Sequence, residues 1–143
     1  MDGDERKSAV GLASLNGIRA LAVDDNVIFL NTASQLLARY HGIKSVATAT
    51  SGSEAIQWVE DFSPELVLMD LSMPDMNGLE ATRRIKASRP NTKVIAVTLH
   101  ATVAHRVAAQ LAGAEALISK EDFSEALLPL IEALFQNQSG MTN

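Results

Sequence analysis

Glu65-Leu66-Val67-Leu68-Met69-Asp70-Leu71-Ser72-Met73-Pro74 contains an unbroken aliphatic run that ends in a single carboxylate, with a proline shortly beyond it. An apolar run of that length reads as a strand buried on both faces, and a proline cannot carry a strand ladder onward. Asp70 is therefore expected at a strand tip. Strands buried on both faces belong to parallel sheets, where ligands and chemistry collect beyond the carboxyl ends of the strands.

Upstream, Ile18 to Val23 reads as another buried strand, and it too ends in acid, at Asp24-Asp25-Asn26. Ile28, Leu30, Ala33, Leu36, Leu37 and Tyr40 then follow helical spacing as far as Gly42, with Asp25 or Asn26 suited to cap the first turn. Lys44 to Ala49 is a weaker strand, and Ser53 is suited to cap a helix that carries Ala55, Ile56, Val59 and Phe62 up to Pro64. Downstream of Asp70, a loop through Asn77-Gly78 leads to a helix from Leu79 to about Ser88, with Leu79, Thr82 and Ile85 on one side.

Val94 to Val97 is a further apolar run, ending at Thr98. In the helix from Ala101 to Ala112, Val103, Val107 and Leu111 stack at intervals of four, the stripe a crossover helix is expected to bury, and Gly113 stops it. Ala116-Leu117-Ile118 is a short last strand before Ser119-Lys120. The final helix, about Asp122 to Phe135, contains Pro129, which would forfeit its bond to the carbonyl of Glu125, so a bend or a late helix start is expected. Residues 1–17 read as a disordered leader and 136–143 as a frayed polar tail. Five strands alternating with five helices imply an α/β fold, a doubly wound parallel sheet over residues 18–135.

The composition sets limits on function. With 143 residues, 47% of them apolar, the chain fits one domain with a real core. A net charge of −5 argues against unspecific nucleic-acid binding, and the absence of cysteine removes disulfides and thiolate metal sites. The start is too polar for a signal sequence and no run reaches the roughly 20 apolar residues of a membrane span, so a cytoplasmic protein is expected.

The strand ends now fall on one edge: Asp24 and Asp25, Asp70, Thr98 and Lys120. Crowded carboxylates repel, and an oxygen-seeking divalent cation is the simplest way to keep them ionised together. Without thiolates or clustered imidazoles, Mg²⁺ suits the donors better than zinc or copper. A hydroxyl at Thr98 and a mobile point charge at Lys120 suit a transferring phosphoryl group.

In that order, each after an apolar strand, Asp24-Asp25, the segment Leu68 to Gly78, Thr98 and Lys120 resemble the receiver domain of two-component response regulators, across residues 18 to 135. The resemblance implies the flavodoxin-like (βα)5 fold with strand order 2-1-3-4-5. It makes Asp70 the phosphoacceptor. Mg²⁺ would be bound by Asp25, Asp70 and the backbone carbonyl of Ser72, with Asp24 acting mainly through metal-bound water. Thr98 and Lys120 would contact the phosphoryl oxygens. The phosphoryl donor would be a sensor histidine kinase or a histidine phosphotransfer protein. Beyond its own phosphotransfer and autodephosphorylation the domain would be no enzyme. Thr98 would be the switch, re-posing the face of the fourth helix, fifth strand and fifth helix, through which a homodimer could form.

Departures from the family pattern qualify these expectations. Glu121 follows Lys120 where the family usually has a cis proline, so a trans bond is predicted. Leu117 occupies the place of a switching aromatic residue, which removes an aromatic rotamer switch. Ser72 and His100 sit where family members tune the access of hydrolytic water. The same residues admit two other readings: a receiver-like module that only binds partners, and a Mg²⁺-dependent aspartyl phosphatase of the haloacid-dehalogenase kind. The latter places its nucleophile after the first strand and an aspartate two residues on, where this chain has Ser72. Outside the site, His41, His105 and Trp58 read as surface or packing residues, and Arg83, Arg84 and Lys86 as a solvated face.

Overall fold

The computed structural model describes residues 17–73 and 77–141, with side chains to Gln136. The leader before residue 17, and Pro74-Asp75-Met76 with the strand-stopping role read for Pro74, lie outside the described residues. Strands β1 (Ile18–Val23), β2 (Ile43–Ala49), β3 (Leu66–Asp70), β4 (Lys93–Thr98) and β5 (Ala116–Ser119) alternate with helices α1 (Val27–Ala38), α2 (Gly52–Phe62), α3 (Gly78–Ser88), α4 (Val103–Ala112) and α5 (Phe123–Met141). The strands pair in parallel in the order β2-β1-β3-β4-β5, the doubly wound arrangement expected.

Alternation along the strands decides which helix covers which face. Ala20, Ala22, Leu66, Leu68, Ile95 and Val97 point to one side and pack with Leu30 and Leu37 of α1 and Phe123, Leu127 and Ile131 of α5. Leu21, Val23, Val67, Met69 and Val94 point to the other and meet Ala55 and Val59 of α2 and Ala81 and Ile85 of α3. β1 and β3 lie inside the sheet with almost every residue buried, so their carboxyl ends are fixed from both faces.

Local signals explain the element boundaries. Asn26, in an extended conformation, accepts the backbone N–H of Phe29 through its side chain and caps α1, leaving the Asp25 carboxylate free of that duty. For α2 the cap is Ser51, two residues before Ser53: its hydroxyl accepts the N–H of Glu54, whose carboxylate reaches back to the N–H of Thr50. That reciprocal pair resembles a capping box and outcompetes a start at Ser53. Pro129 lies inside a helix that begins at Phe123, so the late start is not what the chain adopts, and α5 runs past Phe135 to Met141 where a frayed tail was expected. The peptide bond between Lys120 and Glu121 is trans, as predicted from the missing proline.

The largest departure is in α4. Its buried face is made of Ala109 and Ala112, and the stripe read as core points outward: Val103 is 77% exposed, Val107 50% and Leu111 81%. Alanine lets the helix backbone approach the sheet, where Ala109 joins Ala96 and Leu71 in a small cluster, and that close approach turns the larger side chains to solvent.

The start of α3 is equally close to the sheet. A Cβ placed on Gly78 would lie 2.1 Å from the backbone oxygen of Asp70. Gly78→Ala is therefore expected to cost about 3 kcal/mol or more by forcing the β3–α3 loop off the strand end, measurable as a lower urea midpoint.

Candidate functional site

Each acidic or basic side chain at the carboxyl edge is delivered by a strand that the core holds rigidly. Asp24 follows β1 and is 1% exposed; its backbone N–H is bound to the carbonyl of Ala49, and its Oδ1 accepts the N–H of Asn26 at 2.9 Å. Asp70 is the last residue of β3 and 3% exposed. Asp25 stands exposed beside them. Carboxylate oxygens from these three residues lie within 4.8 Å of one another.

Lys120 supplies the opposing charge. It leaves β5 through a turn in which its N–H donates to the carbonyl of Thr98 at 2.7 Å. Its Nζ sits 2.6 Å from Asp24 Oδ2 and 3.9 Å from Asp70 Oδ1. Asp24 Oδ2 has no hydrogen-bond partner among the described residues and is balanced by that ammonium alone. One cation faces a cluster of three acids, and the imbalance is visible in Asp70. Burial first, and the Asp24 charge second, push its pKa up to about 6 against the opposing pull of Lys120 and the Ser72 N–H, with Asp25 adding a smaller push upward.

The cluster opens into a cleft of about 380 Å³ lined by Asp25, Asn26, Asp70, Ser72, Leu99 and Lys120. Thr98 ends β4, the strand paired with β3, and is buried at 2% exposure. His100 is exposed and does not line the cleft; its neighbour Leu99 does. Leu117 lies part-buried within β5, packed near Leu71, Ala96 and Ala109. The edge thus gathers Asp24, Asp25, Asp70, Ser72 and Lys120, with Thr98 on the adjoining strand end, and leaves His100 and Leu117 outside the cleft.

Sequence reading passed over two residues. Leu99, an apolar residue directly after a strand-end threonine, carries no chemical signal of its own. Phe29 reads as one more apolar residue of α1, yet its ring centroid is 4.6 Å from Lys120 Nζ.

The donors suit a hard divalent cation. All are oxygens, two of the three carboxylates are buried, and the charge excess is negative. Asp25 and Asp70 on the cleft wall and Asp24 behind them are the residues that would hold such an ion.

Comparison with known proteins agrees with this geometry. The family model described as response regulator receiver domain matches residues 20–132. The transcriptional regulatory protein DegU of Brevibacillus brevis is 30% identical over 121 residues, 85% of this chain and 51% of that protein. The response regulator UvrY of Escherichia coli is 33% identical over 121 residues, 85% of this chain and 56% of that one. The chain therefore spans about half the length of these curated relatives. Among solved structures, a CheY-like receiver domain protein from Methanospirillum hungatei superposes with a TM-score of 0.78 at 31% identity, covering 87% of this chain and 98% of that one. A LuxR-family two-component response regulator from Aurantimonas gives 0.79 at 31% identity, covering 84% and 86%. With the family model matching most of the chain and the doubly wound sheet shared with receiver domains of known structure, the chain belongs to the response regulator receiver domains.

Proposed function

We propose that this receiver accepts a phosphoryl group on Asp70 from a phosphohistidine of a sensor histidine kinase or histidine phosphotransfer protein. The observation that carries the reading is the convergence of Asp70, two further carboxylates and the Lys120 ammonium, with Asp25, Asp70 and Lys120 opening onto one cleft. A carboxylate oxygen of Asp70 attacks phosphorus, an O–P bond forms as the N–P bond to the donor imidazole breaks, and an acyl phosphate results. The ammonium of Lys120 neutralises charge on the equatorial oxygens, and catalysis is chiefly positioning and electrostatics. Mg²⁺, when bound, would supply further charge neutralisation there. The hydroxyl of Thr98 is the group assigned to the phosphoryl oxygens once they are in place, and Ser72 the residue that governs water access.

The test is direct. Incubation with acetyl phosphate and Mg²⁺ is expected to add the mass of one phosphoryl group to the intact protein. Chelation should prevent the gain, and steady release of phosphate with no adduct would favour a phosphatase instead.

The output is assigned to the face of α4, β5 and α5. Val103, Val107 and Leu111 form an exposed apolar strip there, and such strips on small domains mark contact surfaces. Self-association through this face, strengthened by phosphorylation, is expected to appear as a rise in sedimentation coefficient with protein concentration when beryllofluoride is present. Val107→Asp should abolish the rise, and identical monomers with and without the mimic would remove the dimer.

A further inference from the structure

We propose that Phe29 is a positioning residue for the phosphotransfer: its ring face holds the Lys120 ammonium over the acidic cluster and remains its partner while it moves from Asp24 toward the phosphoryl group. The inference rests on Asp70 being the acceptor, and it adds a residue that lies outside the polar constellation.

The geometry carries it. Lys120 Nζ is 2.6 Å from Asp24 Oδ2, 3.9 Å from Asp70 Oδ1 and 4.6 Å from the centroid of Phe29. Its side chain is 15% exposed, so most of its hydration has been removed and must be replaced. The carboxylates replace it on one side. The negative face of an aromatic ring replaces it on another, and does so more effectively where water is scarce. A ring differs from a third carboxylate in a useful way: its attraction has no donor direction to satisfy. The ammonium can therefore pivot from one oxygen to another without losing that contact.

The ring itself is held. Phe123, 1% exposed in the core, meets it edge-on at 4.8 Å with an interplanar angle of 62°. Phe123 also opens α5 and donates its N–H to the carbonyl of Lys120. The turn that presents the lysine thus also presents the residue that orients the ring beneath it. Nothing in the periodicity of α1 marks this role, because Phe29 sits where an ordinary core residue would.

The test compares Phe29→Leu, which keeps apolar bulk without the ring, with Phe29→Tyr, which keeps the face. Adduct formation with acetyl phosphate at saturating Mg²⁺ is expected to slow about five- to twentyfold in Phe29→Leu and to stay within about twofold of wild type in Phe29→Tyr. An NMR measurement without any phosphoryl donor reads the contact itself. The Lys120 ε-methylene protons, assigned through Lys120→Arg, should be shifted upfield by the ring in the wild type and in Phe29→Tyr, and should return to ordinary lysine values in Phe29→Leu. Equal slowing in both variants would reduce Phe29 to a packing residue and overturn the proposal, as would an unshifted methylene in the wild type. A wild-type protein that takes no phosphoryl group, yet shows the shifted methylene, would remove the transfer role and locate the failure in the assignment of Asp70.

Discussion

Asp70→Asn is expected to abolish the phosphoryl adduct and, in the absence of divalent cations, to make the protein more stable. The first effect follows from the loss of the nucleophilic oxygen. The second follows from the site's charge balance. Asp70 is 3% exposed and shares its surroundings with Asp24 and Asp25, and its pKa stands at about 6 against 3.8 for the free side chain. An acid whose folded pKa is raised stabilises the fold below its unfolded value and loses that contribution as pH rises through the folded value. Wild type and Asp70→Asn should therefore differ little at pH 3.8 and diverge up to about pH 6, where ionised Asp70 costs about 3 kcal/mol. In thermal unfolding above that pH the variant should melt roughly 10 °C higher. Adding Mg²⁺ should close the gap by stabilising the wild type, since a cation bound by the folded carboxylates shifts the equilibrium by mass action. A pH-independent difference between the two proteins would mean that Asp70 is not the strained acid of the cluster.

How far these residues could be read without coordinates depended on the kind of signal each left. An apolar run closed by a polar residue encodes its own burial and its own edge, so Val23-Asp24, Met69-Asp70 and Val97-Thr98 located one rim of the sheet directly. The order of the strands followed from the family pattern and the right-handed crossover, neither of which depends on side-chain detail. The face of α4 did not follow. Val103, Val107 and Leu111 have the spacing of a buried stripe, but spacing fixes only that they share a side. Which side meets the sheet was decided by close approach at Ala109 and Ala112, and small residues emit a weaker hydrophobic signal than the ones they displaced. Phe29 was hidden for the reverse reason, since a ring that packs against a core phenylalanine and covers an ammonium looks, in sequence, like any apolar helix position. Ser51 and Ser53 are both competent caps, and the choice between them rested on the reciprocal bonds of Ser51 and Glu54 across the first turn.

Lys120→Ala is expected to disturb the same pocket in the opposite sense from Asp70→Asn. Removing the ammonium leaves Asp24, 1% exposed, with an Oδ2 that has no hydrogen bond, and leaves Asp70 without the opposing charge of Lys120. Breaking one side of a buried pair costs more than the pair contributes, because an uncompensated charge stays behind. Without metal, a loss of about 3 kcal/mol is expected. Mg²⁺ should return part of it by taking over the balancing charge, so the variant's melting temperature should depend more steeply on Mg²⁺ than the wild type's. The rate of adduct formation should fall about 10²- to 10³-fold even at saturating Mg²⁺, since a charge aimed at the equatorial oxygens has gone. Lys120→Arg separates the two roles. A guanidinium keeps the positive charge and most of the stability, but its planar fork cannot place a compact charge at the same point between Asp24, Asp70 and the Phe29 ring. Stability restored by arginine with the rate still depressed would show that the position of the ammonium, beyond its sign, drives transfer. An alanine variant that is as stable as wild type without Mg²⁺ would instead assign the charge balance of the cluster to another group.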